Sequence, residues 1–332
     1  MKILIIGPAW VGDMVLAQSL FRLLLERHPG TELDVLAPAW TAPLLARMPE
    51  VREAIRAPFA HGRLDLGERW RIGRRLRERR YDWAIVLPKT FKSALVLLPA
   101  RIPRRTGFVG EWRYGVLNDV RRLDTKLTRT VDRYVALGLQ RDEPLPPHIP
   151  PPRLLADSGN ARAALGRLGI PFPQRPILAL APGAEYGPAK RWPPAYYAQL
   201  ARAKIKEGWN VWLFGSEKDS EVTHEIQRYT QGQCSDLAGR TPLGDAIDLL
   251  SLATHVVSND SGLMHVTAAL GRPLVAIYGS SDPSYTPPLS EHAHVLYLAL
   301  PCSPCFQREC PLLHLNCLRG IEPQKVLSLM RR

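Results

Sequence analysis

The sequence predicts an α/β protein of two doubly wound, Rossmann-like halves facing one interdomain cleft. Three observations carry that expectation. Short apolar runs suited to buried parallel strands alternate with amphipathic helical stretches along most of the chain. The alternation occurs twice, on either side of proline-rich stretches at 148–152 and 171–176. A chain of 332 residues is also long for a single core. We divide it into 1–160, 161–320 and a terminal helical segment, 321–332.

Residues 2–6 (KILII) are an unbroken apolar run, as strands covered on both faces tend to be. A turn through Gly7, Pro8 and Gly12 opens an amphipathic helix at 13–27, closed by Pro29 and Gly30. A strand is expected at 33–36, a helix at 40–47, another helix at 66–80, a strand at 83–87 and a helix at 91–98. Beyond the prolines, 176–180 reads as a strand ending in the turn Pro182-Gly183-Ala184. Pro193 begins a helix that runs to Glu207 and stops at Gly208, with proline first and glycine last. Residues 211–214 form a strand leading into Gly215-Ser216-Glu217, and 245–252 a helix. A β-branched strand at 254–258 meets the turn Asn259-Asp260-Ser261-Gly262, which opens onto an apolar helix stopped by Gly271. A strand at 274–278 and a helix at 323–332 complete the series, and the halves share no sequence repeat.

Composition narrows the function. A hydrophobic fraction of 45% is that of an ordinary globular protein, which argues against disorder. No apolar run approaches the ~20 residues of a membrane helix. The N-terminus passes from Lys2 straight into a strand rather than a leader, so a cytoplasmic protein is expected. Net charge is +13, with 26 Lys and Arg against 16 Asp and Glu in residues 1–150. That excess, notably at 69–80 and 101–105, suggests a polyanionic partner: nucleic acid, an anionic membrane surface or a phosphorylated substrate. Solvated helix faces in an arginine-rich protein account for part of the run at 69–80. Aromatic residues suited to base stacking are thin there, so nucleic acid ranks last.

Ligands of open α/β sheets lie beyond the carboxyl ends of the strands, which directs attention to the turns at 7–13, 182–192, 215–217 and 259–265. Backbone N–H groups and the helix dipole at 259–262 make a seat for phosphate. Asp260 could accept sugar hydroxyls there, and His265, one turn in, could reach a phosphate oxygen. Spacing alone favours the plainer alternative, in which Asp260 or Ser261 caps the helix and His265 is a core histidine. Asp13, in the first turn of its helix, is either a general base for a sugar hydroxyl or a dipole-stabilised helix Asp. Residues 7–12 lack the middle glycine of a dinucleotide fingerprint, having Ala9 instead, and no Walker lysine follows either strand. A NAD dehydrogenase and a P-loop ATPase are therefore disfavoured. No D-x-D pair occurs, so metal-chelated nucleotide-sugar chemistry is not expected and no cofactor is required.

Three segments carry a resemblance. Residues 2–18 (KILIIGPAWVGDMVLAQ), 182–192 (PGAEYGPAKRW) and 259–265 (NDSGLMH, followed by RPLVAIYG at 272–279) stand in the right order over nearly the whole chain. Together they resemble the ADP-heptose:lipopolysaccharide heptosyltransferases of glycosyltransferase family 9, and the first two resemble the type II branch. The resemblance implies a GT-B fold, with the acceptor on 1–160 and ADP-L-glycero-D-manno-heptose on 161–320. A final helix that crosses back to the first domain is frequent in that fold, and 321–332 is the candidate. Asp13 falls at the family's presumed general base. Gly183, Ala184, Lys190, Asp260, Ser261, Gly262 and His265 fall in its donor seat, with Glu217 on the ribose. Trp10, Lys89, Lys92 and Arg113 are our candidates for the phosphorylated acceptor. The implied activity is inverting heptosyl transfer to the first heptose of the lipopolysaccharide inner core, by a monomer in peripheral contact with the inner membrane. Type I or III activity is the nearest alternative, followed by a nucleotide-sugar-binding protein without turnover. Leaving-group charge would be met by Lys190, His265 and helix N-termini.

Four of five cysteines, Cys302, Cys305, Cys310 and Cys317, fall within sixteen residues, with His314 among them. Their spacing matches no standard zinc module. We read them as reduced thiols ordering a loop near the donor seat, with a structural zinc as the alternative.

Overall fold

Residues 1–58 and 64–330 are described by the computed structural model. They divide into two units, Met1–Arg153 and Leu154–Arg332. The N-terminal sheet comprises β1 (Lys2–Ile6), β2 (Glu32–Pro38), β3 (Glu53–Ala57), β4 (Trp83–Val86), β5 (Arg104–Phe108) and β6 (Asp119–Arg121). All its pairs are parallel, in the order β3-β2-β1-β4-β5-β6. The C-terminal sheet comprises β7 (Ile177–Ala181), β8 (Asn210–Leu213), β9 (Ser235–Asp236), β10 (His255–Asn259), β11 (Leu274–Ile277) and β12 (Ala293–Leu296). Its order, β12-β11-β10-β7-β8-β9, is the same topology again. The doubly wound α/β class is therefore present in both units. Each sheet reverses winding direction between its first and fourth strands, β1 and β4 in one, β7 and β10 in the other. Such switch points are where α/β sheets bind ligands.

Central strands are buried end to end, as in β4, β7, β10 and β11, and all of these but β10 (HVVSN) are wholly apolar. The helix Val11–Arg27 covers β1, burying Met14, Leu16, Leu20, Phe21 and Leu24. Gly7 admits it, because a Cβ there would stand 2.6 Å from Met14 Cε. Two expected helices are broken by proline. Residues 40–47 form a 3₁₀ turn, Ala39–Thr41, and one helical turn, Ala42–Leu45, with Pro43 fixing the start. Residues 91–98 form two short turns, Phe91–Ala94 and Leu97–Ala100, with Pro99 in the second.

The division falls after Arg153, earlier than residue 160, because the chain changes partners there. Gln18 holds both the N–H and the carbonyl of Arg153, at 2.9 and 2.6 Å. Leu154 N–H donates to Ala269 at 2.9 Å, and Asp157 N–H to Asp248 at 2.9 Å. The last helix, Pro323–Leu329, places Val326 and then Met330 in the core of the C-terminal unit, beside Tyr197 and Ala201. Arg331 and Arg332, the end of the expected 321–332 segment, lie outside the described residues.

Much of the basic excess is used internally. Arg69 is buried and donates to the carbonyls of Leu64 and Lys92, at 2.6 and 2.7 Å. Arg79 pairs with Glu53 at 2.5 Å, Arg52 with Asp34 at 2.5 Å, and Arg121 with Asp119 at 2.7 Å. Arg74, Arg75 and Arg77 are exposed on one helix, the solvated face that was the plain reading of the 69–80 run.

Candidate functional site

In the C-terminal unit the switch point is fastened by one side chain. Asn259 ends β10 fully buried. Its Oδ1 accepts from Trp192 N at 3.0 Å and Tyr197 OH at 2.9 Å, and its Nδ2 donates to Pro182 O at 2.6 Å. A buried amide satisfied at both ends holds the turn after β7 against that after β10.

Asp260 and Ser261 do not behave as helix caps. The Asp260 carboxylate pairs with the Lys190 ammonium and accepts from Ser281 Oγ at 2.6 Å. Ser261 stands at the N-cap of the helix Gly262–Ala269 without a side-chain capping bond, its hydroxyl 3.2 Å from that of Ser258. The first-turn N–H groups at Gly262 thus lack the side-chain partner that the plain reading supplied. Burial drives the His265 pKa down to about 4; Asp260 opposes this and Lys190 adds to it. His265 is neutral at pH 7 and brings one N–H donor to the seat rather than a charge. The Lys190 ammonium also lies 5.1 Å from the centre of the Tyr186 ring.

Gly183 is needed for a reason beyond freeing amides. A Cβ there would overlap the Asp219 carboxylate. Asp219 Oδ2 accepts from Ser216 N and Oγ, both at 2.9 Å, in a reciprocal capping box, with Arg191 3.7 Å from Oδ1. Asp219 therefore braces the turns after β7 and β8 together. Ala184 is buried and its carbonyl accepts from Arg191 at 3.4 Å. Glu217 is exposed at the start of the 3₁₀ turn Glu217–Asp219.

At the N-terminal switch point, Asp13 is half-buried in the first turn of Val11–Arg27. Burial, then the Asp13 carboxylate, hold the Tyr134 phenol well above its ordinary pKa, which sets Tyr134 beside Asp13. Trp10 is 51% exposed just ahead of the helix, and Trp40 Nε1 donates to Ala9 O at 2.9 Å. Beyond β4, burial and then Arg133 and Arg113 depress the Lys89 pKa, so three cations gather there. Lys92 is half-buried. Arg113 differs from the other acceptor candidates. It is 1% exposed and donates to the carbonyls of Pro88 (2.6 Å) and Phe108, a brace for its own loop.

The cysteine segment lies against the loop at 182–192. Ala189 N–H donates to Arg308 O at 3.0 Å and Tyr186 OH to Phe306 O at 2.6 Å. Burial raises the Cys310 thiol, but the backbone N–H groups of 312–315 outweigh it and leave the pKa below its ordinary value. Burial and then the neighbouring Cys302, Cys310 and Cys305 raise that of Cys317.

Asp219, Ser281 and Tyr134 were not among the residues singled out from sequence, and Asn259 was read only as part of the turn at 259–262. Asn259 and Asp219 each had a readable signal, a polar residue ending an apolar strand and a Ser-x-x-Asp box. Ser281 and Tyr134 had none, because their partners are remote in sequence.

Residues 69–316 match the family described as glycosyltransferase family 9 (heptosyltransferase). The chain is 49% identical to lipopolysaccharide heptosyltransferase 2 of Escherichia coli (strain K12), covering 99% of this chain and 97% of the relative. It is 47% identical to lipooligosaccharide heptosyltransferase 2 of Haemophilus influenzae, over 90% of this chain and 89% of the relative. Its fold is similar to the solved structure of the E. coli ADP-heptose lps heptosyltransferase II, with a TM-score of 0.89 over 99% of this chain and 97% of that one, at 47% identity.

Proposed function

The chain belongs to glycosyltransferase family 9, the heptosyltransferases, and from that premise we propose that it moves L-glycero-D-manno-heptose from ADP-heptose to the first heptose of the lipopolysaccharide inner core, with inversion. The observation that carries this reading is the uncapped helix start at Gly262, with Lys190 held on Asp260 and a neutral His265 one turn in. Uncapped N–H groups, a lysine and a neutral imidazole donor suit a pyrophosphate.

In this reading Lys190 turns from Asp260 to the incoming pyrophosphate, and Asp260, kept oriented by Ser281, accepts donor hydroxyls. Glu217 meets the ribose. Asp13 takes the proton of the acceptor hydroxyl, whose oxygen forms the new bond to the anomeric carbon as the bond to the ADP oxygen breaks. Leaving-group charge goes to Lys190 and the Gly262 helix start, so transfer needs no added divalent ion. Acceptor phosphates meet Lys89 and Lys92, with Trp10 against the sugar. No described helix is long and apolar enough to cross a membrane. Access to a lipid-linked acceptor is then peripheral, with the basic unit attracted to the anionic inner face of the bilayer. We take the working form to be a monomer.

The test is incubation with ADP-heptose and defined truncated lipopolysaccharides, followed by mass spectrometry of the acceptor. One heptose added to a core ending in a single heptose is the expected product. Addition only to a heptose-free core would move the protein to type I. Donor binding without transfer to any acceptor would leave the non-catalytic alternative.

A further inference from the structure

The transfer just proposed leaves the cysteines unused, yet the fold gathers them. Cys302, Cys305, Cys310 and Cys317 line one cavity of about 20 Å³, together with Ser280 and His314. None is in a disulfide. The fifth cysteine, Cys234, is buried elsewhere, against Thr230 at 3.5 Å.

We propose that these four thiols form a structural site for a single thiophilic divalent ion, zinc being the expected occupant, which ties the 302–317 segment to the loop carrying Lys190.

Four observations point to a metal rather than to a loop of idle thiols. Ser280 Oγ, in a residue 1% exposed, has no hydrogen-bond partner among the described residues and lines the same cavity. Buried hydroxyls are rarely left unpaired, and a thiolate is an acceptor such a group can serve. The backbone N–H groups of residues 312–315 converge on Cys310 Sγ, which fixes that sulfur at the wall of the cavity. His314 is already engaged, its Nδ1 accepting from Asn316 N at 3.0 Å. Four sulfurs remain, the donor set that selects a tetrahedral thiophilic ion. The cavity is, moreover, of single-ion size, too small for an organic cofactor. Among the described residues no three His, Cys, Asp or Glu side chains already stand at metal-bonding geometry. Binding therefore closes the thiols by side-chain rotation, with each ligand thiol giving up its proton.

The consequence for the loop follows from its contacts. Cys305 and Phe306 N–H donate to Ser280 O, at 3.1 and 2.7 Å, and Ser303 Oγ donates to Gly279 O at 2.5 Å. Gly187 lies so near Arg308 that a Cβ would stand 2.5 Å from its carbonyl oxygen. An ion holding 302–317 thus also holds 186–190. This second step rests on the reading of Lys190 as a donor contact, whereas the metal site itself does not.

The full chain, purified under reducing conditions, should carry about one equivalent of zinc, as a four-ligand structural site does. Stripped and reduced, it should bind one Co(II) with a thiolate-to-cobalt charge-transfer band. Cys305→Ser should weaken that band, leaving three thiolates, and Cys234→Ser should keep it whole. The wild-type titration decides the matter even if Cys305→Ser fails to fold. Absence of stoichiometric metal, with no cobalt band and all four thiols open to a labelling reagent, would overturn the site. Isolation of the four cysteines as two disulfides under those conditions would overturn it equally. ADP affinity, measured by calorimetry on stripped and zinc-loaded protein, should differ several-fold. Equal affinities on a protein that does bind one cobalt would overturn only the tie to the Lys190 loop.

Discussion

Asp13 and His265 show how single residues separate chemistry from stability. A general base contributes ~10²–10⁴ in rate, whereas a first-turn helix Asp contributes at most ~1 kcal/mol of stability. Asp13→Asn keeps the shape but cannot take the proton. We expect kcat to fall by that factor while melting temperature and ADP-heptose affinity barely move, since the donor seat we propose is built from residues of the other unit. Near-wild-type kcat on a folded variant would sink the mechanism. His265 makes a prediction of opposite kind. Its folded pKa is depressed from 6.5 to about 4, first by burial. Between those values the unfolded chain takes up a proton that the folded chain refuses. Its stability contribution is therefore present above pH 6.5 and lost as pH falls toward 4, by up to roughly 3 kcal/mol. Thermal melts from pH 7.5 to 4.5 should show that loss, and His265→Gln, which cannot titrate, should flatten the curve. Equal slopes for both proteins would refute the buried neutral imidazole. Sequence marked both positions without fixing their state, since burial and the Lys190–Asp260 pair are properties of the fold.

Among the elements, the legible ones were those whose pattern alone decides the state. The buried strands β1, β4, β7, β10 and β11 and the helix Pro194–Lys206, with proline first and glycine last, agree with their expected spans to within a residue or two. Missed strands were short, polar or at an edge. β5 reads RRTGF, and it forms because Arg104 stacks 4.0 Å over Trp83 and pairs with Asp119 at 3.2 Å. β3, β6, β9 and β12 owe their existence to a neighbour that supplies the ladder, which no local window contains. Turns were legible in place but not in purpose. Gly183 looked like a phosphate-loop glycine, and the structure adds that it makes room for Asp219. Gly183→Ala should accordingly destabilise by about 1–3 kcal/mol, the usual range for overpacking. Most of that loss should disappear in an Asp219→Ala background, a coupling that chemical denaturation of the four proteins of the cycle can measure. An undiminished loss would mean that the alanine harms the turn for some other reason.

For the whole molecule, the repeated strand order of the two sheets was invisible in a sequence without internal repeats, because order is set by pairing and not by composition. The charge excess was visible, but its use was not. Several arginines of the N-terminal unit are committed to internal carboxylates and carbonyls, Arg52, Arg69, Arg79 and Arg121 among them. Lys89 is different. Burial and two neighbouring guanidinium groups work against its charge, so its site gains from an incoming anion. This concentrates the expected acceptor contact at the carboxyl end of β4 instead of spreading it over the 69–80 helix. We therefore expect Lys89→Gln with Lys92→Gln to raise KM for a phosphorylated acceptor about 10-fold or more, since ~10-fold is about 1.4 kcal/mol, roughly what one charge-assisted contact contributes at its weakest. KM for ADP-heptose should be unchanged, as should KM for an acceptor lacking phosphate. Salt should weaken the wild type toward the phosphorylated acceptor more than it weakens the variant, because fewer charges are left to screen. Substituting Arg74, Arg75 and Arg77 together by Gln supplies the contrast. If that triple variant loses acceptor affinity while the double lysine variant keeps it, the solvated helix face and not the switch point is the anion site.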